Sequence, residues 1–189
     1  MKDFLLTIGK LSEPEINKFL SFGRICEYLT NEIVFEGDRP FTKLLFIEKG
    51  LIRAYRIIDG NDFSYFFFSD NEFAVDFQSY LTESTSPLIF ETLTRTTCYE
   101  YSKSEIETLY RSIPKLEKMG RLMAEKAYLS AADRLKQHQT DSLKSRYLTL
   151  ISKNPKLFQE VPLRNIASYL GVKPQSLSRI RAEIAGKYY

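Results

Sequence analysis

The chain has 189 residues, 43% of them hydrophobic, and a formal net charge of +3, which suits a globular protein of one large domain or two small ones. Its longest apolar runs, 44–47 and 65–68, have the length of strands, and residues 1–10 lack the small-residue cleavage site of a secretory signal, so a cytoplasmic protein without a membrane partner is expected. Two cysteines with no C-x-x-C pair and a single histidine exclude, within one chain, a disulfide framework, a four-cysteine iron–sulfur site and a multi-histidine metal site.

Cys26 and Cys98 therefore read as structural thiols and His138 as a solvated side chain, and no cofactor and no metal is expected. Residues 1–20 read as short helices: Phe4, Leu5, Ile8 and Leu11, then Ile16, Phe19 and Leu20, recur at helical spacing, with a break and restart at Ser12 and Pro14. From residue 27 to 101 the pattern becomes that of short strands, at 32–36, 43–48, 51–58, 63–68, 88–93 and 97–101. The spacers carry turn chemistry in Glu36-Gly37-Asp38, Lys49-Gly50 and Asp59-Gly60-Asn61. Six strands with few helical interruptions predict an antiparallel sandwich or barrel. Phe63, Tyr65, Phe66, Phe67 and Phe68 read as core or interdomain packing.

Helical texture returns after Ser102, which forms a capping box with Glu105 for a short helix through Tyr110. A long helix is predicted from Ser112, with Pro114 just inside, to about Gln137. Ile113, Leu116, Met119 or Gly120, Met123, Ala127 and Ser130 form a stripe of small and apolar side chains near heptad spacing, and Gly120 and Ala127 permit close backbone approach. Leu116, Met119, Gly120, Met123 and Ala127 are accordingly expected at a dimer seam; packing of the helix on its own β domain is the alternative. Thr140 or Asp141 then caps a further helix, with Leu143, Tyr147, Leu148, Leu150 and Ile151 on its buried side and Pro155 past its end.

From His138 onward nine lysines and arginines face three acids, so a basic tail follows a mildly acidic body, as nucleic-acid binding would require. Within that tail Leu163, Ile166, Ala167 and Leu170 give one helix an apolar face, and Ala167 is small where a second helix must cross. Gly171 supplies the positive φ of a sharp turn, and Val172 follows as a plug. Lys173 or Pro174 opens the second helix, which turns Leu177, Ile180 and Ile184 inward. Lys173, Gln175, Ser176, Ser178, Arg179 and Arg181 are left as a polar face that suits a major groove: glutamine pairs with adenine, arginine with guanine, and serine or lysine with phosphate or a base edge.

The run Ile166-Ala167-Ser168-Tyr169-Leu170-Gly171-Val172, followed by Pro174-Gln175-Ser176-Leu177-Ser178-Arg179-Ile180-Arg181, resembles the helix-turn-helix of Crp/Fnr-type regulators. The resemblance covers nearly the whole chain. It implies an α+β fold: an antiparallel β-roll of jelly-roll, cyclic-nucleotide-binding-like type with flanking short helices over residues 1–111, a dimerisation helix over 112–138, and a winged helix-turn-helix over 139–189. It also implies a homodimer on a palindromic operator, with double-stranded DNA and RNA polymerase as partners and base readers at Gln175, Ser178 and Arg179. Gln175 stands where the family more often has glutamate, so adenine in place of cytosine is the expected contact.

The sensor half departs from the family. Nucleotide-binding members carry a Gly-Glu pair and then an Arg-Ser or Arg-Thr pair, whereas residues 71–93 here offer Asn71-Glu72-Phe73 and Ser86-Pro87-Leu88-Ile89. An anion placed among apolar side chains is costly, so cyclic AMP is not the expected effector. Glu72, Phe73, Leu88, Ile89 and Arg95 are the candidate effector pocket, for a small molecule of unidentified class. An enzyme is not expected, since the one histidine lies outside the β region and no nucleophile elbow, phosphate loop or H-E-x-x-H motif is present. The alternative is an effector-binding or protein-interaction module of this fold with degenerate DNA binding.

Overall fold

The computed structural model describes residues 2–185. Helices α1 (Lys2–Thr7) and α2 (Glu13–Phe22) lead into β1 (Arg24–Tyr28), β2 (Ile33–Phe35), β3 (Arg39–Pro40), β4 (Lys43–Lys49), β5 (Ile52–Ile58), β6 (Asn61–Phe68) and β7 (Phe73–Ala74). Then follow α3 (Phe77–Thr82), β8 (Thr85–Ser86), β9 (Ile89–Thr92) and β10 (Thr96–Ser102). The remainder is helical: α4 (Lys103–Ser112), α5 (Pro114–Thr140), α6 (Leu143–Lys153), α7 (Leu157–Glu160), α8 (Leu163–Tyr169) and α9 (Pro174–Ala185). The strands form two four-stranded sheets, β1-β10-β4-β7 and β2-β9-β5-β6, and a short β3-β8 ribbon. By contacts the chain divides into one unit of residues 1–54 and 67–126 and a second of 55–66 and 127–189.

In the first unit, period-two alternation sorts the side chains of β4 and β10 onto two faces. Phe46 stands opposite Tyr99, and Leu44 opposite Tyr101. This face receives α1, α2, α4 and the start of α5, whose Leu5, Ile16, Phe19, Ile106, Leu109 and Leu116 are buried with Phe46 and Tyr101. Each fully buried side chain of this kind contributes about 1.5–3 kcal/mol by leaving water. Phe19 stacks on Tyr101 with centroids 4.7 Å apart, and a Cβ at Gly23 would stand 2.6 Å from the Tyr101 ring, so only glycine fits there. The Ser102–Glu105 capping box forms: the backbone N–H of Ser102 donates to Glu105 Oε2 at 2.7 Å, and that of Glu105 donates to Ser102 Oγ at 3.3 Å.

The other face of the sheet carries Leu45, Ile47, Cys98 and Glu100, all buried. Cys26 on β1 lies opposite Cys98 on β10, and both thiols are free. Burial pushes both up, Cys98 to about 12, which keeps them as unreactive thiols.

Several elements differ from those read in the sequence. The sheet opens earlier, at Arg24, because β1 draws its partners from β10 some seventy residues away; β3, β7, β8 and α3 were not foreseen. Ser142, and neither Thr140 nor Asp141, caps α6: its Oγ accepts the Ser145 N–H at 3.1 Å, and α5 continues through Thr140. Leu148 is exposed, as are Phe63 and Phe66.

The second unit has its own core in Tyr147, Leu150, Leu157, Val161, Ile166, Ala167, Leu170 and Leu177. Tyr147 meets Phe158 edge to face at 5.1 Å. Residues 139–185 are helical and carry no strand among the described residues, so the expected wing has no strand there; residues 186–189, which include Lys187, lie outside them. No helix among the described residues is long and apolar enough to cross a membrane.

Candidate nucleic-acid interface

Helices α8 and α9 meet at a glycine turn. Ile166 and Ala167 of α8 are buried, and Ala167, with no exposed surface, lets α9 cross closely. Gly171 has φ +69°; its N–H donates to the Ser168 carbonyl at 2.9 Å, and the Val172 N–H donates to the Ala167 carbonyl at 3.0 Å. These bonds satisfy the last carbonyls of α8 in the manner of a Schellman end, which favours glycine at the left-handed residue. Pro174 is the first residue of α9, where its missing N–H has no helical partner to lose.

Leu177 is fully buried, and Ile180 and Ile184 are half-buried beside it. Lys173, Gln175, Ser176, Ser178, Arg179 and Arg181 are all exposed. Gln175, Ser178 and Arg179, at i, i+3 and i+4, share one stripe opposite Leu177, and Ser176 and Arg181 flank the buried side. Ser178 Oγ donates to its own helix, at the Pro174 carbonyl 3.0 Å away, whereas the side chains of Lys173, Gln175, Arg179 and Arg181 make no hydrogen bond or ion pair among the described residues. Glu183 lies one turn past Arg179 on α9 but pairs with Lys144 of α6. Gln175 and Arg179 are therefore unengaged donors on the stripe, and Ser178 between them is held by its own helix.

The residues that fix α8 were missed. Ser168 Oγ accepts the Ser64 N–H and donates to the Asp62 carbonyl, both at 2.8 Å. Arg134 donates to the carbonyls of Tyr65 at 2.5 Å and Tyr169 at 3.1 Å, and its guanidinium lies 4.0 Å from the centroid of the Tyr169 ring. Arg146 donates to the Leu170 carbonyl at 2.9 Å and meets His138 Nδ1 at 2.8 Å. Arg134 of α5 and Arg146 of the basic tail thus satisfy the carbonyl end of α8, a role for cations at helix C-termini that a charge count cannot separate from DNA contact. Burial, then Arg146 and Arg134, hold the His138 imidazole below its ordinary value.

No protein-family model matches the chain, and no curated protein matches it in sequence. Solved structures do match. CLP, a c-di-GMP-responsive global regulator of Xanthomonas campestris, superposes with a TM-score of 0.74 at 18% identity, covering 93% of both chains. FixK2 from Bradyrhizobium japonicum gives 0.74 at 17% identity over 87% of this chain and 85% of its own. The catabolite activator protein of Thermus thermophilus gives 0.62 at 16% identity over 97% and 87%. The chain has the fold of a Crp/Fnr-type regulator.

Within this Crp/Fnr-type fold, the residues expected at the dimer seam divide. Leu116 and Met119 are 1% and 5% exposed in the core of the first unit, and Met123 packs against that core. A Cβ at Gly120 would stand 2.3 Å from the Tyr110 hydroxyl, so its close approach is to α4. Leu116 and Met119 are thus buried within the first unit, and Gly120 and Met123 are half-buried against it, as the alternative placement of the helix requires. Ala127 is exposed, and the side chains that α5 turns to solvent are Leu122, Tyr128, Leu129 and Leu135.

The five expected effector residues do not converge either. Glu72 closes a turn by accepting the Ser69 N–H at 2.8 Å, and Phe73 packs its ring on Phe46 at 4.8 Å. Leu88 is buried, and Ile89 is half-buried at the start of β9. Arg95 pairs with Glu27 at 3.0 Å on an exposed surface. The polar groups of that region engage one another: Asp76 accepts the Ser79 N–H at 3.3 Å and the Ser86 hydroxyl at 2.6 Å, and Ser79 Oγ accepts the Phe41 N–H at 2.8 Å.

Proposed function

We propose that the protein is a cytoplasmic, sequence-specific DNA-binding transcription regulator that acts as a homodimer on a palindromic operator and is not controlled by cyclic AMP. The carrying observation is the exposed stripe Gln175, Ser178 and Arg179, with unengaged glutamine and arginine, on a helix anchored by Leu177. Gln175 reads adenine and Arg179 guanine through bidentate pairs, Ser178 contacts a base edge, and Lys173, Ser176 and Arg181 hold phosphates. RNA polymerase is the partner at the promoter.

Dimerisation uses the solvent side of α5. Leu122 and Leu129 are seven residues apart, as are Tyr128 and Leu135, and their exposures of 42%, 61%, 72% and 62% are high for side chains of that size. Cyclic AMP is disfavoured because Ser86, the hydroxyl nearest in sequence to the family's anion-binding pair, already donates to Asp76, and Leu88 is buried. The deciding experiment is selection of bound DNA from a random or genomic pool. Enrichment of an inverted repeat is expected; recovery of no motif would overturn the reading.

A further inference from the structure

The first unit holds a cavity of about 260 Å³ that none of the candidate effector residues lines. Phe35 and Phe41 wall it, edge to face with centroids 4.7 Å apart, and Leu45 adds to the apolar side. The polar side is built on Glu100 of β10, whose side chain is 8% exposed. Its carboxylate accepts from Arg24 at 2.9 Å and pairs with Lys43. Burial works against that charge, but Lys43 and Arg24 prevail and hold the carboxyl below its ordinary value.

Arg39 is the third cation. Its guanidinium carbon lies 5.2 Å from the centroid of Phe35, and it makes no ion pair or hydrogen bond among the described residues. On the lining of this aromatic-walled cavity one acid thus faces two bases, Lys43 and Arg39, while Arg24 pairs with that acid from outside the lining. Such a concavity concentrates anions, because low-dielectric walls focus the positive potential. A guanidinium presents a planar fork that matches a carboxylate, and offset or edge contacts with Phe35 and Phe41 favour a flat ring beside it. The volume is below the roughly 300–1,000 Å³ of drug-sized sites, so the occupant has about one ring and one polar head.

We propose that this cavity binds a small aromatic carboxylate, its ring against Phe35 and Phe41 and its carboxyl group on Arg39. The Tyr28 phenol, kept protonated by burial, is a further donor at the wall. The proposal goes beyond the DNA-binding reading and does not depend on it.

The test is titration of the full chain with benzoate in the absence of DNA, followed by calorimetry and by NMR shifts of assigned amides. Saturable binding with Kd on the order of 0.1–1 mM is expected, the range open to a ligand this small. Arg39→Ala, a change at an exposed side chain, should weaken it by about tenfold, and neutral benzamide should bind about tenfold more weakly than benzoate. Shifts should centre on Tyr28, Phe35, Phe41 and Glu100. Absence of saturation, equal binding of benzamide, indifference to Arg39→Ala, or shifts centred elsewhere would each overturn the proposal.

Discussion

The α3 region of the first unit and helix α9 of the second treat their polar side chains in opposite ways. Around α3, Asp76, Ser79 and Ser86 are buried and satisfy one another, so the segment is closed by its own carboxyl group. On α9, glutamine and arginine side chains stand unengaged in solvent on a helix whose other side is anchored by Leu177. Both segments are rich in hydrogen-bonding groups, and composition does not distinguish them. The lesson is energetic: polar groups that already have protein partners stabilise the fold, whereas unengaged groups on a rigid element remain available to a ligand.

That contrast can be broken by substitution. Asp76→Ala leaves the Ser86 hydroxyl and the Ser79 N–H without their acceptor in a buried place, and a loss of about 2–3 kcal/mol in unfolding free energy is expected by denaturant titration. Arg179→Ala should leave the unfolding midpoint unchanged and remove about 1–3 kcal/mol of operator binding, read by fluorescence anisotropy on the selected site. If Arg179→Ala destabilised the fold and Asp76→Ala did not, the contrast would be reversed.

Smaller effects sharpen it. Gly171→Ala forces a Cβ into a left-handed residue, and a loss of about 1 kcal/mol in stability is expected from thermal unfolding. The smallest effect concerns His138, whose folded value is depressed below the ordinary 6.5. The unfolded chain therefore takes up this proton first as pH falls. The stabilising share of neutral His138 is fully present above about 6.5 and is lost as pH drops through the lower folded value. Unfolding curves from pH 8 to 5 should show this slope, and His138→Asn should flatten it.

What could be read along the chain was whatever depends on neighbours a few residues apart. The α8–Gly171–α9 turn was legible because the glycine, the small Ala167 and the apolar positions act within one or two helical turns, and the Ser102–Glu105 box was legible for the same reason. The strand β1 was obscure because its partners lie in β10, and the short β3, β7 and β8 because two residues carry no periodicity. The stripe Leu116, Met119, Gly120 and Met123 was legible as apolar and small, but its spacing fits a core and a dimer seam equally well. Arg146 counted as basic footprint until the carbonyl it satisfies was in view, and Arg134, ahead of the basic tail, carried no signal at all.

By itself, then, the sequence determined the helix-turn-helix, the strands β2, β4, β5, β6, β9 and β10, and the polar face of α9, because local sterics and side-chain periodicity specify them. Only the tertiary structure decided which side of α5 stays exposed, that Ser168 and Arg134 bind α8 to residues 62–65, and that Glu100, Lys43 and Arg39 gather at one cavity. Those outcomes rest on pairings between residues far apart in the chain. Such pairings leave no periodic trace, since each partner alone looks like any other surface charge or apolar side chain.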